Sequence, residues 1–153
     1  MQAKRYEEAE ETYRQVVEVY RELGDQEAEA GTLNRLGVLE KERQQWEAAI
    51  GWYERAREVF ETLNQPANVA LVTRNIGDVQ RQAKRYEEAG ETYRQVVEVY
   101  CELGDREEEA GTLNSLGVLE EERQQWEAVI GWYERAREVF RSEEHTSELQ
   151  SLS

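Results

Sequence analysis

Internal repetition is the feature that most constrains the fold of this chain. When the sequence is shifted by 80 positions, residues 2–60 align with residues 82–140, and only seven of the 59 pairs differ. Periods of about 20 to 50 residues are typical of arrays in which each unit buries its apolar face against its neighbours. A shift of 40 positions superimposes Tyr6, Trp46, Tyr86 and Trp126, so the structural unit has about 40 residues.

The apolar residues within each unit predict a pair of helices. In one part they recur at spacings of three and four, which places them along one face of a helix. The other part, residues 27–44 in the first unit, carries Ala30, Leu33, Leu36 and Gly37 on one side and predicts a second helix. The apolar residues spaced by three and four are Tyr6, Ala9, Tyr13, Val16 and Tyr20, and they recur 40 positions later as Trp46, Ala49, Tyr53, Ala56 and Phe60.

Turn signals separate these helices. Gly24 and Gly104 are suited to the left-handed stop at a helix C-terminus, and the Asp25 and Asp105 that follow them are suited to N-capping. Pro66 fits the first turn of a helix, where its missing N–H is not needed. Each unit is therefore predicted to be a helical hairpin.

The recurring residues resemble the signature of the tetratricopeptide repeat family, in its 40-residue variant. The resemblance implies an all-α, right-handed α-solenoid of antiparallel helix hairpins over residues 1–140. Its units lie near residues 6–26, 27–64, 66–104 and 107–140. The residues that carry the resemblance are Leu33, Leu36, Gly37, Trp46, Ala49, Tyr53 and Ala56, then Ile76, Gly77, Tyr86, Ala89 and Tyr93, then Leu116, Gly117, Trp126, Tyr133 and Ala136.

Glycine within the predicted helices indicates close helix packing. Gly costs about 1 kcal/mol relative to Ala inside a helix, so its recurrence at Gly37, Gly77 and Gly117 needs a compensating contact. We expect Ala49 and Ala89 to complete that contact. The sequence departs from the family pattern at Glu40, Gln80 and Glu120, which replace an aromatic residue, and at Val129, which replaces a small one.

Both ends of the sequence differ from the repeats. Residues 141–151, RSEEHTSELQS, resemble the translation of a common short-read sequencing adapter, so residues 141–153 are expected to be a non-native, disordered tail. Residues 2–5 match residues 82–85, where a first helix ends, so the chain is expected to be an internal fragment. Whether the 80-residue duplication occurs in the native protein stays open.

Composition narrows the partners of the chain. The formal charge of -15 disfavours nucleic acid and anionic membrane surfaces, since both attract clustered Lys and Arg. Basic or neutral protein partners fit better. No membrane span or signal peptide is evident, and the single Cys101 cannot form an internal disulfide, so we expect a cytoplasmic protein.

The sequence predicts neither catalysis nor a cofactor or metal site. The only histidine, His145, lies in the tail, and Ser115 and Cys101 have no base to activate them. Residues 107–109 and 120–122 are consecutive glutamates, which point in different directions on a helix and are best interpreted as solvated. Trp52 and Trp132 suit packing between hairpins better than gripping a peptide.

In the resembling family, the first helix of each hairpin lines a concave groove that holds a peptide. The resemblance places two differences between the halves on this lining, Arg35 against Ser115 and Lys41 against Glu121. These differences would make one end basic and the other acidic, although neutral drift explains them equally well. A ladder of asparagines would suit a peptide backbone. The lining positions are Asn34, Arg35, Val38 and Lys41, then Arg74, Asn75, Asp78 and Arg81, then Asn114, Ser115, Val118 and Glu121.

Three hypotheses for the function follow. The first is a protein–protein interaction scaffold that binds a peptide or protein partner in the groove. The second is a regulatory repeat segment of a larger signalling protein, for example one attached to a nucleotide-switch domain. The third is end-to-end self-association through uncapped terminal helices, whose apolar faces would be exposed.

Overall fold

The computed structural model describes the backbone of residues 2–152 and the side chains of residues 3–142, 151 and 152. The described backbone forms seven helices and no strand, which confirms the predicted all-α class. The helices are α1 (Gln2–Leu23), α2 (Gln26–Glu42), α3 (Trp46–Thr62), α4 (Pro66–Gln82), α5 (Tyr86–Leu103), α6 (Arg106–Glu122) and α7 (Trp126–Leu152).

The helices group into two compact units. The first unit, Met1–Lys84, contains α1 to α4, and each helix packs against the next one in the chain. The second unit, Arg85–Ser153, contains α5 to α7, which also pack consecutively. Short turns join the helices, and the hairpins predicted over residues 27–64 and 107–140 are present as α2–α3 and α6–α7.

The predicted glycine stops and aspartate caps are confirmed. Gly24 and Gly104 adopt φ angles of 74° and 73°, which favour glycine because other residues meet steric strain there. The Asp25 carboxylate accepts a hydrogen bond from the Ala28 N–H at 3.1 Å, and Asp105 accepts one from Glu108 at 3.2 Å. Pro66 is the first residue of α4, as predicted.

The other turns use residues that give no such signal. Left-handed φ angles occur at four positions between helices, and none of these four residues is a glycine. The Gln44 N–H donates to the Lys41 carbonyl and the Gln45 N–H donates to the Glu40 carbonyl, both at 2.9 Å, so hydrogen bonds offset the strain. The four positions are Gln44, Asn64, Lys84 and Gln124.

Each unit has its own apolar core, formed by the predicted stripes. In the first unit, Tyr53 and Leu36 are fully buried, with Trp46 packed at the edge. In the second unit, Tyr93 and Leu116 are fully buried. The stripes of both hairpin helices therefore face one another, as the helical periodicity predicts.

Two of the recurring glycines make the predicted close approach. A Cβ added at Gly37 would overlap the ring of Tyr53, and one at Gly117 would lie 2.7 Å from the Tyr133 ring. The nearest atoms belong to these tyrosines, and not to the small residue expected at position 49. Glycine is thus needed because an aromatic ring occupies the space that a Cβ would fill.

The glutamates that replace the family's aromatic residue are buried and paired. Glu40 lies 3.4 Å from Arg43, and Arg43 also lies 3.3 Å from Glu10 and over the ring of Tyr6. Burial, and then the charge of Glu10, raises the pKa of the Glu40 carboxyl, while Arg43 opposes this rise. In the second unit, Glu120 pairs with Arg123 at 3.4 Å.

The ends differ from the expectations of the sequence. Residues 2–5 continue α1 as helix, whereas the identical residues 82–85 end α4 and turn into α5, so tertiary context decides their conformation. The backbone of α7 is helical to Leu152, where a disordered tail was expected, because no Gly or Pro after Gly131 stops the helix. The prediction that the tail is non-native stands untested, and the side chain of His145 lies outside the described residues.

Candidate peptide-binding face

The α2 positions of the predicted lining share one side of that helix in the first unit. Arg35 is exposed, while Asn34, Val38 and Lys41 are half-buried. The opposite side of α2 carries the buried Leu33, Leu36 and Gly37, which hold the helix on the core. The predicted lining of α2 therefore remains accessible to a partner.

The α4 positions of the lining are brought together with those of α2. The Asn75 side chain donates a hydrogen bond from Nδ2 to Oδ1 of Asn34, at 3.0 Å. The α4 lining residues Arg74, Asp78 and Arg81 are half-buried. Asn34 and Asn75, two members of the predicted asparagine ladder, are thus adjacent. They are hydrogen-bonded to each other as well as available to a partner.

The amide pair retains hydrogen-bonding capacity beyond this contact. An asparagine amide has an acceptor oxygen and two donor hydrogens. The Asn34–Asn75 bond uses the Asn34 oxygen and one Asn75 hydrogen, so the Asn75 oxygen and the Asn34 amide hydrogens lie outside it. Such a pair can match the alternating C=O and N–H groups of an extended peptide.

The α6 positions of the lining lie in the second unit. Asn114 is exposed, Val118 is half-buried, and the Ser115 hydroxyl donates to the Gly111 carbonyl of its own helix at 3.2 Å. Glu121 is exposed and accepts a hydrogen bond from the Tyr133 hydroxyl at 3.4 Å. A role for Asn114 as a third rung stays a prediction.

Leu71 is a member of this face that the sequence prediction missed. Its side chain is 42% exposed, and it precedes Arg74, Asn75 and Asp78 by three, four and seven positions, so it shares their side of α4. The corresponding residues of the other units are Gly31 and Gly111. The sequence signals this residue only through its helical spacing from Arg74, Asn75 and Asp78, and its exposure in the structure offers an apolar contact to a partner.

Charge on the α2–α4 face of the first unit is opposite to that of the chain as a whole. The predicted lining positions of α2 and α4 carry four basic side chains and one acidic side chain, Asp78, in a chain with a formal charge of -15. The exposed Glu42 adds a second acid on the same side of α2. Charges more than about 10 Å apart are largely screened in physiological salt, so the local basic charge governs contact with a bound segment. The basic side chains are Arg35, Lys41, Arg74 and Arg81.

Asp78 also acts on the core beneath the face. Burial, followed by the charges of Asp78 and Glu42, raises the pKa of the Tyr53 phenol well above its ordinary range. The Tyr53 hydroxyl is buried and has no hydrogen-bond partner within the described part of the chain. The raised pKa therefore keeps the Tyr53 phenol in its protonated form.

The two tryptophans considered as peptide contacts pack within their units instead. Trp52 lies against the first core, with Arg14 of α1 and Arg55 of α3 at 5.2 Å and 4.9 Å from its ring centroid. Trp132 lies against the second core, with Arg135 at 5.0 Å. Packing between hairpins is confirmed for Trp52, which contacts Arg14 of α1, and stays a prediction for Trp132.

The described side chains offer little for covalent or metal chemistry. Among them, no group of three or more His, Cys, Asp or Glu residues could hold a metal ion. Cys101 is a free, exposed cysteine. None of the described helices is long and apolar enough to cross a membrane.

Comparison with known proteins identifies the family. The family model described as Tetratricopeptide repeat matches residues 1–62 and 68–142. The chain belongs to the tetratricopeptide repeat family, whose fold is typically a non-catalytic scaffold for protein–protein interaction. No curated protein matches the sequence significantly.

Solved structures show the same fold. BtubC (BKLC) from P. vanneervenii is 22% identical with a TM-score of 0.77, and the match covers 92% of this chain and 59% of that one. Aspartyl phosphate phosphatase F from Bacillus subtilis is 16% identical with a TM-score of 0.79, covering 92% and 37%. The Rap conjugation gene regulator of the plasmid pLS20, solved in complex with a Phr peptide, is 15% identical with a TM-score of 0.72, covering 89% and 38%.

These neighbours are longer than the present chain. The chain spans 59% of BtubC and less than half of each of the other two. They are similar to this chain as repeat solenoids of the tetratricopeptide type.

Proposed function

We propose that this chain binds an extended, acidic segment of a partner protein on the α2–α4 face of its first unit. The observation that carries the proposal is the Asn75–Asn34 hydrogen bond, which joins two lining positions of successive first helices into one polar surface. Backbone groups of the peptide would pair with the two amides, so affinity would not depend on the peptide's full sequence.

Charge would give the interaction its selectivity. Arg35, Lys41 and Arg74 favour Asp or Glu side chains in the bound segment, and electrostatic complementarity of this kind raises the rate of association. Leu71 offers a contact for one apolar side chain, and the open space at the Gly31 Cβ position on α2 leaves room for a bound segment. We therefore expect an acidic segment that carries a single apolar anchor.

A neighbour in fold supports the proposal by analogy. The Rap regulator of plasmid pLS20 is described as a complex with a peptide, so a solenoid of this fold can hold one. The identity of 15% leaves the ligand of the present chain to be established from its own residues.

The test uses linear random peptides displayed on phage and selected against the full chain. Selected peptides are expected to be enriched in Asp and Glu, and their affinity should fall as salt is raised. The variant Asn34→Asp keeps the oxygen that accepts from Asn75 but removes the amide hydrogens, so we expect about a tenfold weaker affinity. Gln95→Ala removes an exposed amide from α5, and its affinity should stay within about twofold of the original.

Two results would contradict this function. One is selection that yields no peptide, which would instead favour a regulatory segment that contacts an attached domain. The other is equal loss of affinity in Asn34→Asp and Gln95→Ala, because the selected peptides would then bind elsewhere.

A further inference from the structure

The α7 helix exposes an apolar face in the second unit. Trp126 is 61% exposed and Ile130 is 59% exposed, and both lie on the same side of the helix. A shallow cavity of about 340 Å³ lies along this side, lined by Val129, Ile130, Tyr133, Glu134 and Arg137. Exposed apolar surface of this kind, rimmed by charged residues, is typical of an interaction site.

The first unit contains nearly the same helix with this face covered. Residues 46–60 of α3 and residues 126–140 of α7 differ at one position only, Ala49 against Val129. In α3, Tyr53 is fully buried, and Trp46 and Ile50 pack at the edge of the core. The same residues of α7 are exposed or half-buried, so the difference arises from what packs on the helix.

The helix that covers α3 is α4. It contributes three buried residues, Val72, Ile76 and Val79, to the core that contains Tyr53 and Phe60, and Val69 packs against that core. These four positions follow the spacing of one helical face, three, four and three residues apart. The covering element is thus an amphipathic helix with a β-branched stripe.

A helix that covers α7 needs a different residue at one position from the residue that α4 has there. In the first unit, burial and then the charge of Asp78 of α4 raise the pKa of the Tyr53 hydroxyl. On α7, the equivalent hydroxyl of Tyr133 already donates to Glu121, a residue that replaces Lys41 of the first copy. A carboxylate placed there, like that of Asp78, would meet the charge of Glu121, whereas a basic side chain would pair with it.

We propose that the α7 face binds a partner helix that carries the β-branched stripe of α4 and a basic residue where α4 has Asp78. The contact goes beyond the binding of an extended peptide on α2 and α4, since it uses a different helix and buries apolar surface. The partner is recognised by shape through Ile130 and Trp126 and by charge through Glu121.

The probe is a synthetic peptide of residues 65–84 with Asp78→Lys, held helical by a covalent bridge between positions 67 and 71. Both bridged positions are exposed on α4, so the bridge leaves the stripe clear. The bridge also removes the cost of forming an isolated helix, which is marginal at this length. Binding of the labelled peptide to the full chain is followed by fluorescence anisotropy.

Two protein variants locate the site. Ile130→Glu should weaken binding by about tenfold or more, because it places a charge in the centre of the apolar face. Val19→Glu removes a similarly exposed β-branched residue, 51% exposed on α1, and should leave the affinity within about twofold. The peptide with Asp78 retained should bind about threefold more weakly than the Lys form, and this gap should narrow at high salt.

Three outcomes would overturn the proposal. The bridged peptide shows no saturable binding, or Ile130→Glu and Val19→Glu bind it equally, or the Asp78 peptide binds as tightly as the Lys form at low salt. Sedimentation adds a fourth test of the occupant. If the chain forms a dimer that Ile130→Glu dissociates and the peptide does not, the face is occupied by a second copy and the proposal fails.

Discussion

The two nearly identical halves of the chain neutralise the same buried glutamate in different ways. In residues 2–60, Glu29 lies 3.2 Å from Arg21, a residue of the preceding helix. In residues 82–140, Cys101 replaces that arginine, and Glu109 lies 4.0 Å from Arg106 of its own helix, where the first half has Gln26. Two of the seven differences therefore offset each other, since the loss of one arginine accompanies the gain of another.

A second buried glutamate also distinguishes the halves. Arg43 lies between Glu40 and Glu10 in the first half, whereas the second half has Gly90 in place of Glu10 and retains only the Glu120–Arg123 pair. A charge that is buried without enough partners is costly, so substitutions near it are constrained. The comparison teaches that identical helices acquire different electrostatics from changes at their neighbours.

The largest expected effect tests the close approach of tyrosine and glycine. Gly37→Ala should destabilise the first unit by about 2 kcal/mol, because overpacking against the buried Tyr53 ring outweighs the gain in helix propensity. Gly117→Ala should cost about half as much, since Tyr133 is half-buried and can move. Denaturant-dependent hydrogen exchange, followed separately on peptides of the two units, measures both effects. Equal costs would contradict the difference in packing.

The next-largest expected effect tests Gly90, which stands in the second half where the first half has Glu10. Gly90→Ala should stabilise the chain by about 1 kcal/mol through helix propensity, and Gly90→Glu should gain less, because its pair to Arg123 is opposed by repulsion from Glu120, as Glu10 repels Glu40. The site allows both substitutions, because a Cβ at Gly90 makes ordinary contacts, 3.5 Å from both Arg94 and Leu119. Gly90→Ala isolates the propensity contribution in thermal unfolding. A destabilised Gly90→Glu variant would contradict the equivalence of the Glu10 and Gly90 sites.

The pH dependence of stability should report the buried Glu40. Because burial and Glu10 raise the pKa of Glu40 above its ordinary value of 4.5, its protonated form is favoured in the folded state. Its contribution to stability is thus fully present below pH 4.5 and is lost as the pH rises through the folded-state pKa.

Glu40→Gln should therefore be more stable than the original chain at pH 7, by about 1 kcal/mol, with the advantage vanishing in acid. Urea unfolding as a function of pH measures it. Glu120→Gln is the matched control and should gain less, since Gly90 places no second acid beside it. If the stability advantage of Glu40→Gln over the original chain grew as the pH fell, the result would contradict a raised pKa of Glu40.

The smallest effect tests the exchange of arginines. Cys101→Arg should stabilise the second unit by about 0.5 kcal/mol, by restoring a partner to Glu109 from α5. In that background, Arg106→Gln should cost less than it costs alone, and a double-mutant cycle of unfolding free energies measures this coupling. Additive costs would show that the two differences arose independently.

The sequence predicted the repeat, the all-α class and the helix stops at Gly24 and Gly104, because each depends on local chemistry or periodicity. It did not predict the left-handed turns at Gln44 and Lys84, since those residues have no intrinsic preference for that conformation. The packing role of Gly37 was predictable from its cost in a helix, but its tyrosine partner was not.

The candidate site was predictable in part. The family pattern placed Asn34 and Asn75 on the same lining, and the structure joins them, but their mutual hydrogen bond depends on the spacing of α2 and α4. Leu71 was missed because the other units carry glycine at that position, so the repeat pattern gave no reason to select it. The exposure of Trp126 depends on which helix packs against α7, which no local pattern specifies.

Photo-cross-linking of a selected peptide to the full chain tests the central claim, binding at the α2–α4 face, most directly. Arg35 and Lys41 provide tryptic sites that Ser115 and Glu121 lack, so fragments of α2 and α6 are distinguishable by mass spectrometry. The account predicts cross-links within residues 31–42 and 71–82. Cross-links confined to α1 or α7 would contradict it.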